Sequence, residues 1–439
     1  MTMKKWLAAV AGTASIALAL SGCSSDGSSS TADAGGSGGG ASGEPITLEM
    51  WAWASNIETR VDAWNEANPD VQVRLTKPGG NEDVPTKIIT ATRAGEGPDI
   101  AQAEYGQLPS MVISDVARDI TADFEPYADK YAPAINDLVT FDGAVYGVPQ
   151  DIGPTGMMYR TDVFDEYGLE VPETWEQFAD VAEEIRDLGD GDLYIANFAG
   201  GDADLFVGLT MQAGAEWWTV DGDTWRVGID SEASREVLAF WQDMVDRDLV
   251  STVPGGTPEW NSMMNDGKIL TNVSGVWAAG VMASIVPDTI GLWKGARTPQ
   301  WTPGVDTVGY RGGSVNFVTT SSEHPEEAAE VILWLNASDE GAEGLAEISK
   351  FPAALHGQDA LSTPPALMPD DEDYWPLATE IAQDTFPIQW GPNPNVAFAA
   401  FTDEVGKAIT NGTSVVDALP AIQKAVVDDL ESSGFTVAE

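Results

Sequence analysis

The first strong pattern in the chain is alternation: Ile46, Leu48 and Met50 are separated by the polar Thr47 and Glu49, and the run closes on Trp51-Ala52-Trp53. A period of two with apolar residues on one face predicts a β-strand laid against a core. The period then changes. Between Asn56 and Asn68, Ile57, Val61 and Trp64 recur at helical spacing, and Asn68-Pro69 stops the helix, because the residue before a proline is driven out of the α region. Alternation resumes in Val71-Gln72-Val73-Arg74-Leu75. Strand, helix and strand in this order predict a parallel βαβ unit.

The switching continues along the chain. Gly97-Pro98-Asp99-Ile100-Ala101 reads as a short strand after a helix, and Asp142-Gly143-Ala144-Val145-Tyr146-Gly147-Val148-Pro149 as a turn feeding another. Thr174-Trp175-Glu176-Gln177 is a capping box, with Trp175, Phe178, Ala182, Ile185 and Leu188 on one helical face behind it. Further helices are predicted near Glu232, with Val237, Leu238, Trp241 and Val245 buried, and near Pro325, before Ala328, Val331, Ile332 and Leu335. A last helix is predicted from about Ser414, with Val415, Leu419, Ile422, Val426 and Leu430 in register. The class is α/β. No repeat at solenoid or propeller spacing is evident. A chain of 439 residues exceeds one core and predicts two or three domains, yet the only linker-like stretch lies near the N-terminus. Domains joined without a linker must be joined by short hinge strands.

Composition changes the picture mainly at that end. Lys4 and Lys5 precede an apolar run over 6–20, and Ser21 and Gly22 stand before Cys23, the pattern of a secretory signal ending at residue 22. The run is too short and too rich in Ala and Gly for a stable span, and nothing later approaches the ~20 apolar residues a span needs. Cys23 is the only cysteine, which excludes disulfides within the chain and metal sites built on several thiolates. Residues 24–43 are almost all Ser, Gly, Ala, Thr and Asp and read as a flexible tether. Within it Gly35-Gly36-Ser37-Gly38-Gly39 matches the nucleophile-elbow motif in letters only, lacking the flanking strand and helix. A net charge of -49 makes nucleic acid and anionic lipid poor partners, and because the acids are spread along the chain they read as a solvated surface.

Leu20-Ser21-Gly22-Cys23 resembles the lipobox of bacterial lipoproteins, which implies a diacylated Cys23; two acyl chains suffice for a stable anchor. The ordered series of Gly97-Pro98-Asp99-Ile100, the turn at 142–149, Met157-Met158-Tyr159-Arg160-Thr161-Asp162-Val163-Phe164 leading to the capping box, and Gly267-Lys268 before Gly275-Val276-Trp277 resembles a known family. Gly312-Gly313-Ser314 before Pro325-Glu326-Glu327 and the closing Gly412-Thr413-Ser414 continue the likeness. It is the carbohydrate-binding group, related to the maltose-binding protein, of the extracellular solute-binding proteins of ABC importers. Arg160-Thr161 and Trp217-Trp218 depart from the common pattern, so no sugar specificity carries over. The resemblance implies a two-lobed periplasmic-binding-protein-like fold of type II, each lobe a mixed β-sheet flanked by helices, with ligand in the cleft between. Mapped here it implies a signal peptide at 1–22, the lipidated cysteine and linker at 23–44, an N-terminal lobe from 45–152 and 312–353, and a C-terminal lobe from 153–311 and 354–439. Crossovers are expected near 150–155, 311–314 and 351–354. It further implies a monomer without cofactor, tied to the extracellular face of the cytoplasmic membrane by its lipid alone, that hands a carbohydrate to the transmembrane subunits of an ABC permease.

A neutral sugar offers C–H faces that lie on aromatic rings and hydroxyls that need donors and acceptors, so its site needs both tryptophan faces and polar edges. Sixteen Trp are available. Trp64, Trp175, Trp241 and Trp334 lie on amphipathic stripes and are assigned to core. The candidates for ligand contact lie at strand ends and in loops: Trp53 and Asn56 after the first strand, Glu104 and Tyr105 after the strand at Asp99-Ile100, and Asp151 after Val148-Pro149. Trp217 and Trp218 follow Gly214, Trp260 is placed in a loop after Pro258, Trp277 follows Ser274-Gly275, and Trp390 stands among prolines. Arg311, Gly313 and Ser314 complete the set, the glycine for close approach of the backbone. Asn56 can instead cap a helix, and Arg311 can instead hold a crossover carboxylate. A rival reading is a secreted glycoside hydrolase with a cleft carboxylate pair. No HExxH or EF-hand pattern occurs, and Ile269 after Gly267-Lys268 breaks a P-loop, so binding without turnover is the preferred reading, with the number of tryptophans leaning toward an oligosaccharide.

Overall fold

Alternation in the first strand becomes burial: in β1 (Ile46–Trp51) Leu48 and Met50 are fully buried. The computed structural model describes residues 45–79, 84–384 and 389–438; the expected signal peptide, Cys23 and the tether lie outside them. The helix Ile57–Ala67 buries Ile57, Val61 and Trp64, and Asn68 ends it by donating its side-chain amide to the Trp64 carbonyl at 2.9 Å. β2 (Val71–Thr76) then pairs parallel to β1, completing the expected βαβ unit.

Two sheets organise the rest. β3 (Ile100–Glu104) joins β1 in parallel, and β4 (Val148–Asp151) lies at the far edge, where Pro149 is tolerated because an edge strand leaves some N–H positions unpaired. β5 (Thr155–Arg160) starts the second sheet, which β6 (Thr271–Gly275) and β7 (Trp293–Arg297) complete in the antiparallel order β6-β5-β7. β8 (Ser314–Val318) returns to the first sheet and inserts between β3 and β4, antiparallel to both, giving the order β2-β1-β3-β8-β4. Every residue of β4 and β8 is buried, since both faces of these strands are covered.

The capped helix Trp175–Leu188 has both capping-box bonds and buries Trp175, Phe178, Ala182 and Ile185. Leu188, expected on the same stripe, is exposed at the helix end. In Glu232–Asp246 Met244 takes the buried place expected of Val245. The last helix spans Leu419–Ser432 instead of starting at Ser414. Pro420 explains the shift: in the first turn its missing N–H needs no partner, whereas a helix begun at 414 would carry it inside.

Between the sheets three segments run side by side. Only residues 152–154 separate β4 from β5. Ile152 N–H donates to the Phe351 carbonyl at 3.0 Å, Ala353 N–H to Gln150 at 3.0 Å, and Arg311 N–H to Gly153 at 2.6 Å. A Cβ on Gly153 would run into the Arg311 carbonyl oxygen, so the residue must be glycine for the strands to touch. Gly312 and Gly313 both take left-handed backbone, φ +69° and +80°, which turns the chain into β8.

Candidate ligand-binding site

The crossovers gather polar and aromatic groups from elements of both sheets around Arg311. Its guanidinium donates to Asp202 Oδ2 at 2.7 Å and Ser274 Oγ at 2.8 Å, and its Nε lies 3.9 Å from Asp204 Oδ2. Its carbonyl accepts the Trp277 indole N–H at 3.0 Å. Asp202 is the N-cap of the helix Ala203–Gln212, accepting the Leu205 N–H at 3.2 Å with its other oxygen, so one carboxylate both starts the helix and holds the guanidinium. Asp204, in the first turn of the same helix, keeps 26% of its side chain exposed. Burial first, and then the charge of Glu104, push the Asp204 carboxyl well above its ordinary value; Arg311 opposes the rise, Asp202 adds to it, and the Gly312 N–H lowers it. Glu104 ends β3 in the other sheet, and its backbone N–H donates to Gln107 Oε1 at 3.1 Å.

Among the residues expected from sequence, Trp277 and Arg311 meet in this cluster, while Gly313, two residues on, packs against Tyr310 and Tyr105. Trp277 is half-buried, and its indole nitrogen lies 3.3 Å from where a Cβ on Gly312 would stand. Trp390, from later in the chain, packs its ring 3.5 Å from where a Cβ on Gly106 would stand and is only 8% exposed, not the open-loop residue expected. Trp53 is half-buried at the end of β1, its N–H donating to Gln102 Oε1 at 2.9 Å. Asn56 is exposed, in left-handed backbone before its helix, and its side chain makes no capping bond.

Other expected contacts are drawn inward. Tyr105 is wholly buried against Tyr310, ring centroids 6.3 Å apart, because Gly313 leaves room for both rings. Asp151 is 2% exposed and engaged within the crossovers, accepting from Ser314 N–H at 2.8 Å and Ser314 Oγ at 2.6 Å, with Lys350 Nζ at 3.4 Å. Ser314 is buried by the same contacts. Trp217 and Trp218 are fully buried in an aromatic stack that runs from Phe206 through both to Trp390. Trp260 is helical, not in a loop: Thr257 caps Pro258–Asn265, and the indole faces the core. Buried in this way, these side chains offer no open face to a ligand.

Reading the sequence did not single out Asp202, Asp204, Lys350 or the buried amide chain that backs the Trp53 loop, in which Gln102 donates to Gln150, and Gln150 and Asn336 both donate to Asn316. Asp202 carried a signal, an acid just before an apolar helical run; the others became visible only through contact. Among the described residues no group of three or more His, Cys, Asp or Glu is arranged to hold a metal ion.

Comparison with known proteins places this geometry in a family. The chain is 25% identical over 325 residues to an arabinooligosaccharide-binding protein of Halalkalibacterium halodurans, covering 69% of this chain and 70% of the relative. An ABC-transporter-associated binding protein from B. animalis subsp. lactis, solved with β-1,6-galactobiose, superimposes with a TM-score of 0.83 at 27% identity, covering 90% of this chain and all of that one. The galacto-N-biose/lacto-N-biose I-binding protein of Bifidobacterium longum, solved with lacto-N-biose, gives 0.81 at 25% identity, with 90% and 100% covered. The fold is accordingly the two-lobed α/β fold of periplasmic binding proteins. The model of the bacterial extracellular solute-binding protein family matches residues 52–342, and the chain belongs to that family.

Proposed function

We propose that the protein binds a carbohydrate, an oligosaccharide by preference, in the cleft around Arg311 and delivers it unaltered to an ABC permease. The observation that carries this reading is the meeting of half-buried Trp277 with the polar edges of Arg311 and Asp204, the pairing of a ring face with hydrogen-bonding groups that a sugar requires. The sugars carried by the similar proteins support the ligand class. In this reading residues 45–152 and 312–353 form one lobe and 153–311 and 354–439 the other, and ligand touching both favours a closed arrangement. Trp53 and Asn56 extend the site along the end of β1. No described helix is long and apolar enough to cross a membrane, and the proposed attachment is through lipid on Cys23 at the extracellular face, the protein acting as a monomer.

Thermal shift across neutral oligosaccharides tests the reading: a ligand at about a hundred times its Kd stabilises by ~2.7 kcal/mol, and a flat response to every sugar would refute it. The rival reading, a glycoside hydrolase, needs a carboxylate pair on either side of the scissile bond. Incubation with the bound oligosaccharide, followed by product analysis, separates the two; shorter products would establish turnover.

A further inference from the structure

The segment that ends at Arg311 is fastened to the helix Ala203–Gln212 at three points. At the C-terminal end of the helix Gln212 donates its side-chain amide to the Thr307 carbonyl at 3.1 Å, and the Thr307 hydroxyl donates back to the Gln212 carbonyl at 3.0 Å. In the middle, backbone lies against backbone, since a Cβ on Gly208 would stand 2.6 Å from the Tyr310 carbonyl oxygen. At the N-terminal end Asp202 Oδ2 accepts from the Arg311 guanidinium at 2.7 Å, and Ser274 Oγ on β6 accepts from it at 2.8 Å. The Arg311 N–H donates to the Gly153 carbonyl at 2.6 Å, so main chain and side chain of this residue are both held. Its carbonyl accepts the Trp277 indole N–H at 3.0 Å, and that bond sits in a slot formed by three glycines. A Cβ on Gly275 would run into the indole nitrogen, one on Gly153 into the Arg311 carbonyl oxygen, and one on Gly312 would stand 3.3 Å from the same nitrogen. The pyrrole edge of Trp277 is thereby fixed, while the residue as a whole stays half-buried.

We propose that Asp202 and Ser274 are positioning residues for sugar binding: by holding Arg311 they fix the carbonyl that sets the angle at which Trp277 presents its ring. This rests on the carbohydrate-binding reading above, in which Trp277 supplies the ring face. Neither residue needs to touch the ligand. A ring held in place before the sugar arrives loses little rotamer freedom on binding, so its contribution to affinity depends on the groups that hold it. With Arg311 released, the carbonyl can turn, the indole N–H loses its aligned acceptor, and the ring is free to leave the orientation that the slot imposes.

The test joins calorimetric titration to proton–nitrogen correlation spectra of the indole groups, both on the full chain. The ligand is β-1,6-galactobiose or, if that gives no heat, the neutral oligosaccharide with the largest thermal shift. The Trp277 signal is assigned by its loss in Trp277→Phe. Asp202→Asn keeps an oxygen to cap the helix, as Asn does as well as Asp, but sets an amide NH2 against the guanidinium, donor against donor. Ser274→Ala removes the other acceptor from a different element, so misfolding of one variant leaves the other decisive. Each is expected to move the Trp277 indole signal in the absence of sugar. Each should also weaken binding about ten-fold, or about 1.4 kcal/mol, the lower end of what one hydrogen bond to a charged group contributes. In the Trp277→Phe background, which lacks the indole N–H, the same substitutions should weaken binding by less than about two-fold, because residues acting through one another do not add. Trp277 signals unmoved in both variants, or losses that add in full to that of Trp277→Phe, would overturn the positioning role while leaving carbohydrate binding in place. If no saccharide binds, the carbohydrate reading falls and the positioning role with it.

Discussion

Lys350 and Asp151 expose 11% and 3% of their side chains, and Ser314 supplies Asp151 with two further hydrogen bonds. Each of the three comes from a different crossover, so the cluster ties the hinge segments to one another. Removing one partner of a buried pair leaves the other charge uncompensated, which costs about 3 to 5 kcal/mol. Lys350→Met is thus expected to lower stability by an amount of that order, read from the urea denaturation midpoint. A midpoint unchanged from the parent would mean that water already solvates Asp151. The sequence marked Asp151 and Ser314 as strand-end residues near a crossover, and it had no means of showing that they face each other and not a ligand. The same holds for Trp217, Trp218 and Trp260: an indole looks alike in a list of residues whether its faces meet carbohydrate or Phe206. Trp277, marked in the sequence by its place after Ser274-Gly275 at a strand end, stays half-buried and donates its indole N–H to the Arg311 carbonyl.

At the level of elements, local signals were legible where they are self-contained. The capping box at Thr174 and Gln177 needs only four residues, and it forms as read, with the Thr174 Oγ accepting the Gln177 N–H at 3.2 Å. Thr174→Ala should cost about 1 kcal/mol, measured by thermal or chemical denaturation. Gly153 behaves differently because its constraint comes from a neighbouring strand. Its missing Cβ lets the Arg311 carbonyl approach, so Gly153→Ala should destabilise by clearly more than the ~1 kcal/mol scale of ordinary Gly-to-Ala changes. An alanine variant with parental stability would show that the crossovers can separate at no cost. The final helix lost its first residues to Pro420, a local signal that periodicity alone had overridden.

For the whole molecule, closure is the expected response to ligand, since the groups proposed to bind it come from the end of β3, from the helix Ala203–Gln212, from the turn after β6 and from a crossover, and the segments linking the two sheets are short. Small-angle scattering should show a smaller radius of gyration with a bound oligosaccharide than without, and an unchanged radius despite saturation would argue against hinge motion. The α/β class, the βαβ start, the capped helices and the acidic character of the chain follow from the sequence alone. Each rests on periods and signals spanning a few residues, where the chain's own geometry sets the outcome. Only tertiary structure decided that β8 lies between β3 and β4, that Asp202 and Arg311 meet across 109 positions, that Asp204 feels Glu104, and which tryptophans keep a free face. Those outcomes depend on burial and charge between segments far apart in the chain, and such interactions acquire a distance only when the chain has folded.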